Sequence, residues 1–143
     1  MYLDSIQEIA KVVSYLGPTV AAFWALFVYR NNARRERARW AESLYSRFFV
    51  EPDLKKVRDL LDCDPDDPKV EELVKSDNAD WTDYLNFFEF VQYLQASKQL
   101  SDEDVQALFG YYIGCLKRHR ATRAYISDSG KGFDYLRKLL VNE

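Results

Sequence analysis

The longest uncharged stretch of the chain, VVSYLGPTVAAFWALFVY at residues 12–29, limits the fold more than any other feature. Its 18 positions, at a rise of about 1.5 Å each, make a helix of roughly 27 Å, close to the hydrocarbon thickness of a bilayer. The part VAAFWALFVY is apolar on every side, so a helix there has no polar face to turn to water. Such a segment either crosses a membrane or is enclosed by other helices.

The flanks favour the membrane. YRNNARRERARW places Arg30, Arg34, Arg35, Arg37 and Arg39 after the run against one acid, Glu36, whereas residues 1–11 hold Asp4, Glu8 and Lys11. Basic residues are retained in the cytoplasm, which predicts an N-terminus outside and residues 41–143 inside, at the inner (cytoplasmic) membrane. Tyr15, Trp24 and Tyr29 are placed as interfacial rings, Trp24 less well than the others, and Val12, Phe23 and Phe27 belong to the apolar body. Gly17 and Pro18 predict a kink or early break, with a pore hinge as their functional reading. The basic residues follow the run and no small-residue cleavage site closes it, which argues against a cleaved signal peptide.

Length allows one domain, divided here into an extracytoplasmic terminus and transmembrane helix (1–30), a basic stalk helix (31–50) and a cytosolic helical bundle (51–143). No breaker interrupts the stalk until Pro52, and Trp40, Leu44, Tyr45 and Phe48 recur on its far half at helical spacing, so its end is expected to dock on the bundle. Glu51-Pro52 and Asp67-Pro68 each read as a helix start with proline in the first turn. Asp80 with Asp83 reads as a capping box opening an aromatic helix, WTDYLNFFEFVQYLQAS, whose apolar residues cover most of its circumference. Ser101 with Asp104 is a second box, ahead of Val105, Leu108, Phe109, Tyr112, Ile113 and Leu116 at unbroken helical spacing. A last helix is expected over 133–141. No period of two appears, so the class is all-α, with about five helices in the bundle.

Candidate chemistry is sparse. Residues 51–83 hold twelve acids against five bases. Asp62, Asp64 and Asp66 alternate as a calcium loop begins, but Asp67 and Leu73 stand where glycine and glutamate are required, so no metal is expected. Gly130-Lys131-Gly132 lacks the first glycine and the hydroxyl of a phosphate loop. Cys63 and Cys115 have no metal-type spacing with each other or with His119 and read as free thiols. Lys117, Arg118, Arg120 and Arg123 form a basic cluster, read first as cations at a helix C-terminus and second as an anion contact, for lipid headgroups or phosphate. Tyr111, Tyr112 and Tyr125 flank it. His119 has no carboxylate or nucleophile nearby in sequence and reads as solvent-facing. Glu89, inside the aromatic helix with Asn86 three residues earlier, is the buried polar candidate, expected to pair with a tyrosine or arginine. Gly110 and Gly114 predict close approach of a neighbouring helix.

YRNNARRERARWAESLYSRFFVEPDLKKVRDLLD followed by LNFFEFVQYLQASKQLSDEDVQALFGYYIGCL resembles a group of uncharacterised bacterial proteins. They have one N-terminal membrane helix, an arginine-rich stalk and a small helical cytosolic domain. The resemblance implies a domain of unknown function and carries over no active-site residue.

These readings predict a membrane-anchored interaction module without catalytic activity or cofactor. Its partners are membrane lipid and other proteins or its own copies. A net charge of −3 does not point to nucleic acid. The alternatives are an oligomeric pore-forming effector gated by its cytosolic domain, a soluble helical oligomer using residues 12–29 as interface, and an enzyme on phosphorylated or nucleic-acid substrates resting only on KRHR.

Overall fold

The computed structural model describes the backbone of residues 2–64 and 67–141, and side chains over 17–64 and 67–140. Among the described residues there are seven α-helices, one 3-10 turn and no strand. The helices are α1 (Tyr2–Val50), α2 (Pro52–Leu61), α3 (Pro68–Ser76), α4 (Ala79–Ala96), α5 (Asp102–Arg118), α6 (Arg120–Ser127) and α7 (Asp134–Val141), with the 3-10 turn at Ser129–Lys131. Contacts divide the chain into two units, Met1–Arg39 and Trp40–Glu143.

In the first unit, α1 runs through Pro18 unbroken, so the expected helix break is not found. Among the described residues no helix is long and apolar enough to cross a membrane. The side chains of Val12 and Tyr15 lie outside the described residues.

The second unit is built around α4. Trp81, Tyr84, Leu85, Phe88 and Val91 are fully buried, as the all-round apolar pattern predicts, while Phe90 and Tyr93 reach the surface. The last turns of α1 supply Leu44 and Phe48 to this core, leaving Trp40 and Tyr45 partly exposed. The Phe48 ring lies 4.8–5.9 Å from Tyr84, Phe87, Phe88, Phe109 and Tyr112. Arg58 joins the same centre: its Nη1 donates to the Phe48 carbonyl at 3.0 Å and its guanidinium sits 4.8 Å from the Phe49 ring centroid. A buried cation is tolerable there because a carbonyl and ring faces replace part of its hydration.

Local start signals act as their chemistry predicts. Pro52 and Pro68 occupy the first turns of α2 and α3, and the Asp67 carboxylate accepts from Lys69 N–H at 2.9 Å. At α5 the Ser101 hydroxyl accepts from Asp104 N–H while the Asp104 carboxylate accepts from Ser101 N–H, the reciprocal pair of a capping box. Three expectations need correction. Asn78, not Asp80, caps α4, accepting from Trp81 N–H at 2.9 Å, because the helix begins ahead of Asp80. Among the described residues six helices follow α1, since the chain turns at His119 (φ −79°, ψ 125°) and starts α6 where one continuous basic helix end was expected. Nothing lies within 4 Å of where a Cβ on Gly114 would stand, and the nearest atoms to one on Gly110 belong to Gln106 of its own helix, so the close approach of a neighbouring helix expected at Gly114 is not found.

Candidate functional site

The break at His119 divides the basic cluster. Lys117 and Arg118 lie in the last turn of α5, where they complement the helix dipole, and Arg118 Nη2 donates to Cys115 Sγ at 3.4 Å. Arg120 and Arg123 fall in the first half of α6, whose first turn holds no acid, so the dipole does not account for them. Between α6 and α3 runs a cleft of about 450 Å³ lined by Asp67, Val70, Glu71, His119, Arg120 and Ala121 among others. Lys75, and more weakly Arg120, hold the Glu71 carboxyl below its usual range. Acids and bases face each other across this cleft, which makes it no simple anion pocket.

His119 is buried at 1% exposure, against the expectation of a solvent-facing ring. Its Nε2 lies 3.0 Å from the carbonyl oxygen of Leu61, at the C-terminus of α2. A carbonyl only accepts, so Nε2 carries the hydrogen. Satisfying that orphan helix carbonyl gives the imidazole a structural task.

Glu89 is half-buried and its partners are backbone groups, not the tyrosine or arginine expected. Its two oxygens accept from Tyr135 N–H and Leu136 N–H, each at 2.9 Å. A carboxylate from α4 thereby caps α7 in the place of a local capping residue.

The tyrosines beside the basic cluster are engaged with carboxylates. Tyr111 donates to Asp62 and Tyr125 to Asp77, whose other oxygen holds Lys131 Nζ at 2.7 Å. These contacts leave neither hydroxyl directed at a ligand. Burial pushes the thiols of Cys63 and Cys115 up, which disfavours the nucleophilic thiolate. Among the described residues no group of three or more His, Cys, Asp or Glu side chains could hold a metal ion.

Two surfaces stand out from this bland background. In the first unit Val20, Phe23, Trp24, Leu26, Phe27, Val28 and Tyr29 are 40–73% exposed, and Arg30, Arg34, Arg35, Arg37 and Arg39 follow them, all exposed. Arg39 pairs with Glu36 at 3.1 Å, a surface contact worth little. At helical spacing those seven apolar residues point to all sides of α1. In the second unit, Trp40, Phe90, Tyr93 and Tyr135 form a strip of rings from three helices, each centroid 5.5–6.5 Å from the next. Sequence reasoning missed this strip, because Phe90 and Tyr93 belong to the apolar set that covers most of a helix expected to be central.

Comparison with known proteins finds no matching family model, no matching curated protein and no matching solved structure.

Proposed function

We propose that this chain is a single-pass membrane protein without catalytic activity, anchored by residues 12–29 and presenting its helical bundle to other proteins or to its own copies at the inner face of the membrane. The observation that carries the reading is the all-round exposure of large apolar side chains over 20–29. A helix that pairs with one partner needs a single apolar stripe, whereas one surrounded by lipid is apolar on every side. The described part of the run is too short to span. With Val12 and Tyr15 at its outer end, the 18 uncharged residues reach roughly 27 Å.

The exposed arginines fix orientation and contact anionic headgroups, worth about 1 kcal/mol each near the surface. Gly17 and Pro18 sit in the outer half, where neighbours or water satisfy the carbonyl that proline leaves without a donor.

Protease treatment of sealed cells and of inverted vesicles, with tags at both ends of the chain, tests this reading. Loss of the N-terminal tag only from sealed cells, and of the C-terminal tag only from inverted vesicles, is the expected pattern. Cleavage of both tags from the same side contradicts a single span.

A further inference from the structure

Residues 30–39 depart from the way this chain treats its other surface cations. In the bundle several basic side chains have an acid three or four places away: Lys55 with Asp59 at 2.6 Å, Lys56 with Asp53 at 3.2 Å and Lys75 with Glu71 at 2.8 Å. Over 30–39 the one acid is Glu36, and among the described residues its 3.1 Å contact with Arg39 is the only ion pair of the stretch. Arg30, Arg34, Arg35 and Arg37 are exposed on α1 with no such partner. The helical register sorts the five arginines. At about 100° per residue, Arg30, Arg34 and Arg37 share a sector of roughly 60° over about 10 Å of axis, and Arg35 and Arg39 turn toward the opposite side. Like charges at i,i+4 and i,i+3 oppose a helix in water, so this face calls for counter-charge from outside the chain.

We propose that Arg30, Arg34 and Arg37 form one phosphate-binding face that selects lipids of net negative charge, while Arg35 and Arg39 add to topology without joining it. Planar guanidinium forks match phosphate oxygens two at a time. A zwitterionic lipid brings its own cation with each phosphate, so three unpaired guanidiniums favour the anionic headgroup. What favours lipid over free phosphate or a nucleic acid is the residue next to Arg30: Tyr29, 73% exposed, closes an apolar run that is exposed on all sides. A bilayer offers hydrocarbon and phosphate to neighbouring residues about 1.5 Å apart along one helix. Spanning helices tilt by about 20° on average, and a tilt toward this face brings its arginines to the headgroups while turning Arg35 and Arg39 away. The inference rests on the membrane reading and adds to it a lipid class and a side of the helix.

Electron spin resonance of the full chain in phosphatidylcholine vesicles, doped with spin-labelled phosphatidylglycerol or spin-labelled phosphatidylcholine, tests it by the share of each label held at the protein. The wild-type chain is expected to prefer the anionic label about fivefold. Two variants that each remove two charges separate the faces. Arg34→Gln with Arg37→Gln should bring the preference to within about twofold of parity, while Arg35→Gln with Arg39→Gln should keep it above about threefold. Equal losses in the two variants would overturn the proposal in favour of a diffuse collar of charge. Inorganic phosphate should weaken the preference no more than chloride at equal ionic strength. Displacement of the anionic label by phosphate itself would make this a free-phosphate site, displacement by a short RNA a nucleic-acid site, and either would overturn the lipid assignment. A chain that integrates into the vesicles and shows no preference overturns this inference alone, whereas one that does not integrate overturns the membrane reading with it.

Discussion

The carboxylate of Glu89, in the middle of α4, accepts the backbone N–H of Tyr135 at 2.9 Å across 46 residues of sequence. With Leu136 N–H on its second oxygen, it closes the N-terminal end of α7. Glu89→Ala is expected to cost about 1–2 kcal/mol, the range of a lost helix cap with a charge–dipole contribution. Glu89→Gln should cost less, since the amide keeps one acceptor. Urea denaturation of the three proteins checks the order, and a Glu89→Ala midpoint equal to wild type would contradict the capping role.

His119 serves α2 in a comparable way, and its replacement by alanine both opens a cavity and strands the Leu61 carbonyl. A loss of about 2–4 kcal/mol is expected. Nitrogen-15 NMR of the imidazole should find the hydrogen on Nε2; the opposite tautomer would break the assigned contact.

Phe48 is the point at which the end of α1 enters the bundle, fully buried among five rings and carrying the carbonyl that Arg58 binds. Phe48→Ala should destabilise the fold by about 3–5 kcal/mol. Trp40→Ala, at a ring 43% exposed, is expected to cost far less. Equal losses for the two variants in chemical denaturation would place the docking contact elsewhere.

The Asp77 carboxyl is held below its ordinary value of 3.8, first by Lys131 and then by Tyr125. Because the folded value lies under the unfolded one, the contact contributes fully above the unfolded value and is lost as pH falls through the folded one. Its window is therefore acidic, at and below about pH 4. Carbon-13 titration of the side-chain carboxyl should give a midpoint below 3.8 that rises in Lys131→Ala. An unchanged midpoint in the variant would remove Lys131 as the main cause.

What could be read from the sequence was local. Pro52, Pro68 and the Ser101–Asp104 pair act within three residues of themselves, and the structure places each where its chemistry directs. The apolar spacing of Val105, Phe109, Ile113 and Leu116 likewise finds its buried face. What escaped was set by distant partners. Tyr111 meets Asp62 across 49 positions and Tyr125 meets Asp77 across 48, and no spacing rule joins such pairs. His119 looked exposed because Lys117, Arg118 and Arg120 surround it in sequence. The backbone turn between α5 and α6 points its ring inward while the cations stay toward the surface. In the same way α6 was hidden, since its eight residues bury only Thr122 and Ile126 and carry two arginines.

Carbonate extraction of membranes from cells making the full-length chain tests the central claim most directly, with a variant carrying Phe23→Arg, Leu26→Arg and Phe27→Arg as its partner. The anchored reading predicts that the wild-type chain stays in the pellet after carbonate and that the triple variant moves to the supernatant with its bundle still helical. Full-length wild-type protein released by carbonate, or recovered without detergent, would contradict a membrane span and return residues 12–29 to the role of a helix covered by protein.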